Sequence, residues 1–325
     1  MRAAIYRHTG GSDVISVEEV PTPDPGPGEV RVRIACAGVN PTDWKTRSGA
    51  TGGTPDGFQV PHHDGAGVID AVGEGVSDRR VGERVWTFLA AFGNRWGTAA
   101  ELAVLPTDRT RPLPEGVPDE LGASLGVPAV TAAHCLGGDP GALGGTTVLV
   151  AGGAGAVGHY AIELAKHAGA RVVATASSEE KRQLARSAGA DLVVDYKSDS
   201  AAEEIRRFAP AVDRVVEVAL GANLELDLSV SRPGTEIVTY ASEAKDPTLP
   251  TRKLMGANVA LRFVLLYGVP SEQLEGAVGW VERALADGAL TPLPLHRFSL
   301  EETAAAQDAV EHGAVGKVIV LPQPQ

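Results

Sequence analysis

The sequence contains few cysteines, few aromatic residues and no long apolar run. Its two cysteines, Cys36 and Cys135, stand far apart among 325 residues, which excludes a disulfide framework and predicts a reducing, cytoplasmic location. No apolar stretch is long enough to cross a bilayer, and residues 1–11 have no apolar core of signal-peptide length. We therefore expect neither a membrane-spanning nor a disulfide-stapled secreted protein.

Positive charge is also scarce. Lys and Arg number 29 against 41 Asp and Glu, which gives a formal net charge of -12. A surface of this sign repels phosphate backbones and anionic lipids, so we expect neither a nucleic-acid nor a membrane partner. Hydrophobic residues at 43% and charged residues at 22% are typical of a soluble globular enzyme. The length favours two domains.

The chain changes texture along its length. Its first third is rich in short β-type runs separated by Gly and Pro clusters such as the one at 21–29, which predicts an all-β domain. From about residue 120, apolar strands alternate with amphipathic helices, which predicts an α/β domain with a doubly wound parallel sheet. The last stretch, 293–322, reads strand, helix, strand. It either extends this sheet or folds back onto the first domain.

The strongest chemical signal is a glycine loop, in which Gly153-x-Gly155-x-x-Gly158 follows an apolar strand and opens a helix. Glycines let the chain turn tightly and let backbone N–H groups approach a pyrophosphate, which the helix N-terminus attracts. A glycine-rich turn that binds nothing is the alternative. The pattern predicts a dinucleotide site formed by Gly152, Gly153, Gly155, Ala156, Val157 and Gly158.

The residues after the second strand of this domain favour NADPH over NADH. NAD enzymes place an acidic residue at the end of that strand for the ribose 2′-hydroxyl, and this chain has Ala176 there. Ser177 and Lys181 follow, and a hydroxyl and an ammonium suit the 2′-phosphate of NADPH. Glu179 and Glu180 argue against a phosphate, unless they face solvent in the first turn of a helix.

The run 61–67, PHHDGAG, raises the question of a metal, because His62, His63 and Asp64 are all residue types that ligate metals. Adjacent residues of an extended segment point to opposite faces. The two histidines would then not share a site. We interpret the run as a turn that precedes a strand.

Several motifs follow one another through nearly the whole chain: ACAGVNPTDWKTRSG, GAGVIDAVGEGV, GTAAELAVLP, the glycine loop, AGADLVVDY and GKVIVLP. In order and spacing they resemble the medium-chain dehydrogenase/reductase superfamily, in its zinc-independent, zeta-crystallin-like quinone oxidoreductase branch. The resemblance implies a GroES-like β domain formed by residues 1–122 and 289–325, and a Rossmann domain formed by residues 123–288. It also implies that the C-terminal segment returns to the β domain and that cofactor and substrate bind between the two.

The resemblance bears on the metal as well. In zinc-dependent relatives a cysteine stands at the position of Asn40 and a His-Glu pair at the position of His63 and Asp64; a further cysteine has no counterpart in the run 125–132. At most one of three protein ligands remains, whereas a catalytic zinc needs about three. The structural zinc lobe needs four closely spaced cysteines. We therefore expect no metal site.

The resemblance also implies individual site residues. Asn40 and Lys45 are the catalytic candidates, because the Asn40 amide can donate to a substrate oxygen and Lys45 stands where many quinone reductases have a tyrosine. Asn40 is equally explained as a backbone turn before Pro41, and Lys45 as a solvated lysine. By the same resemblance the cofactor contacts Asn40, Thr131, Tyr196, Phe263, Val264, Leu265 and Lys317. Tyr240 is a further candidate, because it ends a strand at the carboxyl end of the sheet, where ligands of such sheets bind.

These expectations combine into an NADPH-dependent reductase that works without zinc. Hydride passes to a quinone or an α,β-unsaturated carbonyl compound, and hydrogen-bond donors stabilise the negative charge that grows on the substrate oxygen. Trp86, Phe88, Phe92 and Trp96 favour a flat apolar pocket, although Trp86 is expected in the core. The alternatives are an alkenal or enoyl reductase of larger substrates and a non-catalytic NADPH-binding redox sensor.

The run Asn258–Tyr267 predicts an oligomer. It is the last strand-like run of the second domain, and it carries a single charge, Arg262. Exposed sheet edges are normally protected by charges, prolines or bulges. We expect a homodimer joined through this strand. The alternative is that the helix predicted at 271–288 covers the strand within one chain.

Overall fold

The computed structural model describes residues 1–242 and 245–323. The chain forms two compact units: unit 1 consists of Met1–Val127 and the chain from Pro292 on, and unit 2 is Pro128–Thr291. Across the described residues, no helix combines the length and the apolar character needed to cross a bilayer.

Unit 1 begins with the β-rich half of the chain, and unit 2 contains the alternating half. In chain order the strands are β1 (Arg2–Ile5), β2 (Ser16–Glu19), β3 (Glu29–Val39), β4 (Asp64–Val72), β5 (Arg84–Thr87), β6 (Leu102–Pro106), β7 (Thr110–Pro112), β8 (Thr147–Val150), β9 (Arg171–Thr175), β10 (Leu192–Val194), β11 (Val212–Glu217), β12 (Ser231–Thr239), β13 (Ala260–Phe263), β14 (Leu295–Ser299) and β15 (Lys317–Leu321). The helices are α1 (Pro41–Ser48), α2 (Asp119–Cys135), α3 (Ala156–His167), α4 (Glu179–Ser187), α5 (Ala201–Phe208), α6 (Leu220–Val230), α7 (Thr251–Ala257), α8 (Ser271–Ala286) and α9 (Thr303–Glu311).

The main sheet of unit 1 has the order β14-β15-β3-β4-β5-β7, with β6 also paired to β3. β14 runs parallel to β15, and the other described pairs of this sheet are antiparallel. In β3, Val30, Val32 and Ile34 are buried while Arg33 is exposed, because successive residues of a strand point to opposite faces. The predicted β domain is confirmed. The C-terminal strand, helix and strand fold back onto it, since β15 pairs with β3.

The sheet of unit 2 is parallel throughout its described pairs, in the order β10-β9-β8-β11-β12-β13. Counted from β8, this is the order 3-2-1-4-5-6 of doubly wound dinucleotide-binding sheets, so that prediction is confirmed. The order reverses between β8 and β11. Ligands of such sheets bind at that switch point, outside the carboxyl ends of the strands.

The last strand of unit 2 lies at an edge of the described sheet, as predicted, but it is shorter than the run Asn258–Tyr267. β13 pairs only with β12, in a register from Glu236 opposite Ala260 to Thr239 opposite Phe263. β12 ends at Thr239, and the Val264 N–H makes a last bond to the Thr239 carbonyl at 2.8 Å. Beyond it the chain turns, because no strand continues on which to pair.

Candidate functional site

The glycine loop connects β8 to α3, and close contacts as well as turns require its glycines. Gly152 has a φ of 67°, a left-handed conformation that favours glycine. A Cβ on Gly153 would lie 2.9 Å from the Cβ of Ala174 on β9, and a Cβ on Gly158 would lie 2.4 Å from the carbonyl oxygen of Gly152. Gly155 is the N-cap of α3. A side chain at position 153 or 158 would therefore clash with neighbouring atoms of the protein.

The same loop presents the start of α3 at the carboxyl end of β8. Ala156, Val157 and Gly158 form the first turn of this helix. The first N–H groups of a helix have no acceptor within it, and they attract phosphate. Together with the left-handed turn at Gly152 and the N-cap at Gly155, this arrangement fits the pyrophosphate of a dinucleotide.

The carboxyl end of β9 carries the residues predicted to select the cofactor. β9 ends at Thr175, and Ala176, which follows it, is buried. Ser177 and Lys181 are both half-buried. Ser178 is the N-cap of α4 and accepts the Lys181 backbone N–H at 3.3 Å. This end of the sheet offers a hydroxyl and an ammonium beside the glycine loop, and no carboxylate at the position after the strand.

The two acidic residues that follow do not supply a carboxylate for a ribose 2′-hydroxyl. Glu179 and Glu180 are exposed in the first turn of α4, as predicted. Glu179 accepts hydrogen bonds from Arg182 at 2.9 Å and from Arg186 at 2.7 Å, and these bonds hold the pKa of its carboxyl below the ordinary value. Tyr196 lies just beyond β10, 38% exposed. Because β10 runs parallel to the neighbouring β9, the tyrosine lies at the same carboxyl end of the sheet as Ser177.

For the other predicted cofactor residues of unit 2, the structure gives the position and the burial of each residue. Thr131 is buried in α2, and Tyr240 directly follows β12. Phe263 ends β13 and is 64% exposed; Val264 is buried, and Leu265 is exposed. Their contact with a cofactor stays a prediction.

In unit 1 the predicted residues Asn40 and Lys317 touch each other. Both are buried, and the Lys317 Nζ donates to the Asn40 Oδ1 at 2.7 Å. The Asn40 Nδ2 donates to the Asp64 Oδ2 at 2.7 Å, and Lys317 Nζ lies 3.6 Å from that oxygen. The Asp64 Oδ1 accepts the Val127 N–H at 2.8 Å. Both ends of the Asn40 carboxamide are thus engaged inside unit 1.

The histidine run is a turn before a strand, as predicted, since β4 begins at Asp64. The run is not extended: His62 has a φ of 76°, a left-handed conformation, so the alternation of side chains along an extended chain does not apply. His62 and His63 are both buried, and burial lowers their pKa values to about 3 and about 4. The His62 Nε2 contacts the Gln307 Nε2 at 3.3 Å.

These residues do not fit a zinc ion. The Asn40 oxygen and the Asp64 carboxylate are engaged by the ammonium of Lys317. His63 Nε2 lies 4.0 Å from the Asp43 Oδ1. Among the residues that the structure describes, no group of three or more His, Cys, Asp and Glu side chains has an arrangement that could hold a metal ion.

Lys45 lies apart from this buried network. It is half-buried on α1, and its ammonium lies 5.8 Å from the centroid of the Trp44 ring. Of the aromatic segment, Trp86 is fully buried, as predicted, and Phe88 is also buried, whereas Phe92 is exposed.

Two features of the site were missed from the sequence. One is Asp64 as the partner of both Asn40 and Lys317; a lysine within the apolar run GKVIVLP was the available signal, because a buried lysine needs an acceptor. The other is a contact between the buried carboxyl groups of Glu217 and Asp227. No spacing rule connects a strand end to the third turn of the next helix in this way.

Comparison with known proteins covers the whole chain. Residues 26–115 match the family model of the alcohol dehydrogenase GroES-like domain, and residues 156–283 match that of the zinc-binding dehydrogenases. Quinone oxidoreductase from Rattus norvegicus is 31% identical over 99% of this chain and 98% of its own. The structure of an NAD-dependent alcohol dehydrogenase has a TM-score of 0.88 and 28% identity, with 99% of this chain and 100% of that chain covered. A mycobacterial protein solved in complex with NADPH has a TM-score of 0.85 at 28% identity and the same coverage.

Proposed function

Because the chain belongs to the quinone oxidoreductase branch of the medium-chain dehydrogenase/reductase superfamily, we propose that it is a reductase that uses NADPH to reduce a quinone or an α,β-unsaturated carbonyl compound. The observation that carries the proposal is the glycine loop, which presents the first turn of α3, with its free N–H groups, at the carboxyl end of β8. Bound NADPH would supply the hydride. The quinone oxidoreductase relative and the mycobacterial NADPH complex support the same assignment.

The activity is tested by following NADPH oxidation with a panel of quinones and a panel of alkenals and enoyl compounds. Turnover of quinones or small enones supports the proposal. Preference for long-chain alkenals or enoyl substrates would favour the alternative reductase. Tight NADPH binding without turnover of either panel would instead indicate a redox sensor and contradict an enzymatic function.

We assign the pyrophosphate to the glycine loop and the 2′-phosphate to Ser177, Lys181 and Tyr196, which share the carboxyl edge of the sheet. NADPH is favoured over NADH because Ala176 offers no carboxylate to a ribose 2′-hydroxyl. Glu179 does not oppose a phosphate here, since Arg182 and Arg186 bind its carboxylate. The NAD-dependent alcohol dehydrogenase among the similar structures makes this choice worth a direct test.

We expect Lys181→Ala to raise the KM for NADPH by roughly 10–100-fold, since a hydrogen bond to a charged group contributes about 1.5–3 kcal/mol. The KM for NADH should stay nearly unchanged, because NADH lacks the 2′-phosphate. Steady-state kinetics with both cofactors measure the effect, and Lys166→Ala, a lysine paired with Asp191, is the control. An equal loss for both cofactors would refute the assignment.

The proposed reaction proceeds without zinc. The Asn40 oxygen and Asp64, which lie at positions of zinc ligands by resemblance, are engaged by Lys317. Hydrogen-bond donors of the protein would then stabilise the negative charge that grows on the substrate oxygen. Lys45, half-buried and outside the buried network, is the candidate donor, whereas Asn40 acts as a positioning residue for α1. Stoichiometric zinc in the purified protein, with activity lost on chelation, would contradict this part of the proposal.

We further propose that the protein is a cytoplasmic homodimer joined through β13. Apolar side chains are exposed around this edge strand: Met255 by 72%, Phe263 by 64% and Leu265 by 69%. The helix α8 therefore leaves them uncovered within one chain. A two-fold axis through the edge would bury these side chains and pair the free backbone groups.

Leu261→Pro should convert the dimer to a monomer without unfolding unit 2. The Val264 N–H points toward β12, and alternate residues of a strand direct their N–H groups to opposite sides. The Leu261 N–H thus faces the free edge, where proline is tolerated. Light scattering on a sizing column measures the mass. Phe263→Lys should have the same effect, whereas Val81→Lys, at an exposed valine of unit 1, should not. A wild-type mass near 33.6 kDa would remove the dimer hypothesis.

A further inference from the structure

Two buried carboxyl groups lie in contact beside the glycine loop of unit 2. Glu217 is the last residue of β11 and is fully buried, and Asp227 lies on α6 and is 1% exposed. The two carboxyl groups lie within hydrogen-bonding reach of each other, and the buried Glu217 Oε2 and Asp227 Oδ2 have no donor in the described part of the chain. An ionised carboxylate can only accept hydrogen bonds. One proton shared between the two groups would satisfy both oxygens.

The surrounding hydrogen bonds indicate which residue carries this proton. The Glu217 Oε1 accepts the Ala219 N–H and the Asn223 Nδ2, the latter at 2.9 Å, and such donors favour an ionised carboxylate. With both groups ionised, the buried Glu217 Oε2 and Asp227 Oδ2 would have no hydrogen-bond partner within the described part of the chain. A proton on Asp227 that is donated to Glu217 satisfies both atoms.

The pair lies where it can act on the cofactor. β11 is the neighbour of β8, and the Ala151 N–H that follows β8 donates to the Val216 carbonyl at 2.9 Å. A Cβ on Gly152 would lie 3.1 Å from the Val218 side chain, so the turn from β11 to α6 packs against the glycine loop. The two strands flank the switch point of the sheet. Glu217 holds this turn through the Ala219 N–H.

We propose that Glu217 and Asp227 are positioning residues for the cofactor, whose shared proton holds the turn from β11 to α6 against the glycine loop, and that loss of this proton weakens NADPH binding. The proposal rests on the proposed NADPH site. Without the proton, two negative charges would be buried in contact, and separating them would move the turn that borders the loop.

The groups around the pair do not titrate in its place. The Tyr240 N–H donates to the Glu217 carbonyl at 3.2 Å, and burial raises the pKa of the Tyr240 phenol. Burial also raises the pKa of Cys135, which faces Tyr240, to about 12. The charged groups on the elements packed against the pair have partners of their own. Four form ion pairs: Asp213 with Arg232, Arg214 with Glu236, Glu225 with Lys253 and Glu203 with Arg207. Glu204 accepts a hydrogen bond from the Ser200 hydroxyl, and the Arg206 Nε donates to the Ala202 carbonyl at 3.2 Å.

The sign of the pH dependence follows from Asp227. Burial, and then the negative charge of Glu217, raises the pKa of Asp227 well above its ordinary value. In the unfolded chain Asp227 ionises at the ordinary value, whereas the folded chain keeps its proton. The contribution to stability therefore falls as the pH rises from the ordinary carboxyl pKa to the raised one. NADPH affinity should fall as the pH passes the raised value.

The experiment measures the NADPH dissociation constant by fluorescence from about pH 7, where the 2′-phosphate, with a second pKa of about 6, is already ionised, up to the highest pH at which the wild type remains folded. In the wild type we expect the constant to rise by about tenfold or more across this range. In Asp227→Asn, whose amide donates to Glu217 at every pH, it should change by less than about threefold. Asp191→Asn, at a surface carboxylate paired with Lys166, should retain the wild-type profile.

Identical pH profiles for the wild type and Asp227→Asn would overturn the proposal. Unfolding by urea at the same pH values gives a second readout that does not need the cofactor: the stability difference between Asp227→Asn and the wild type should grow in favour of the variant as the pH rises. A difference that is constant with pH would also overturn the shared proton. Failure of every variant to bind NADPH while this trend holds would refute the cofactor site alone.

Discussion

Gly158→Ala should weaken NADPH binding by roughly 10–100-fold. The new Cβ would lie 2.4 Å from the Gly152 carbonyl oxygen and 2.9 Å from the Gly153 Cα, so either α3 or the glycine loop must move. Overpacking of this kind costs about 1–3 kcal/mol. Because the displaced backbone is the one that would hold the pyrophosphate, the cost should fall on the bound state as well as on folding. Fluorescence titration with NADPH and unfolding in urea measure the two.

The matched control is Gly276→Ala, the same change inside another helix. Gly276 lies on α8, and a Cβ there would be 3.8 Å from its nearest neighbour, the Gly138 carbonyl oxygen. Since alanine favours a helix interior over glycine by roughly 0.5–1 kcal/mol, this variant should be slightly stabilised and should bind NADPH normally. Normal NADPH affinity in Gly158→Ala would contradict the assignment of the loop to the pyrophosphate.

The glycine loop is the part of the site that the sequence could predict. A glycine loop between a strand and a helix is local in sequence, and its geometry follows from neighbouring residues, so Gly153, Gly155 and Gly158 were identified from spacing alone. The alternation of strands and helices likewise predicted the parallel sheet, because the topology of such sheets is restricted. The short extent of β13 was not predictable, since it depends on where its neighbour β12 ends.

The buried network of unit 1 could not be predicted for a different reason. Asn40 and Asp64 meet because β3 pairs with β4, and Lys317, far away in the sequence, joins them because β15 returns to pair with β3. In the sequence, Asn40 is an amide before a proline and Lys317 is a lysine in an apolar strand, and each has an ordinary explanation. Only the fold shows that the ammonium and the carboxylate compensate each other away from water. The same holds for Glu217 and Asp227, whose shared proton depends on burial.

Lys317→Met should destabilise unit 1 by about 3–5 kcal/mol, which is the usual effect of removing one partner of a buried ion pair. The Lys317 side chain is 2% exposed, and a Cβ on Gly38 would lie 3.0 Å from its Cε. Without the ammonium, Asp64 would be left as a buried charge, and the Asn40 Oδ1 would lose its donor. Urea unfolding at neutral pH measures the loss. Lys166→Met, which breaks a half-exposed pair with Asp191, should cost at most about 1 kcal/mol.

The double variant Lys317→Met with Asp64→Asn separates charge compensation from simple packing. An asparagine at position 64 can still accept the Val127 N–H, and the Asn40 carboxamide, freed from the ammonium, can rotate to present its oxygen to the new amide. No charge is then buried without a partner. We expect the double variant to recover at least half of the stability lost in Lys317→Met, because neutralising both partners of a buried pair is often close to neutral. If the two losses simply add, the ammonium acts only by filling space, and the ion pair is not what holds Asn40 at the start of α1.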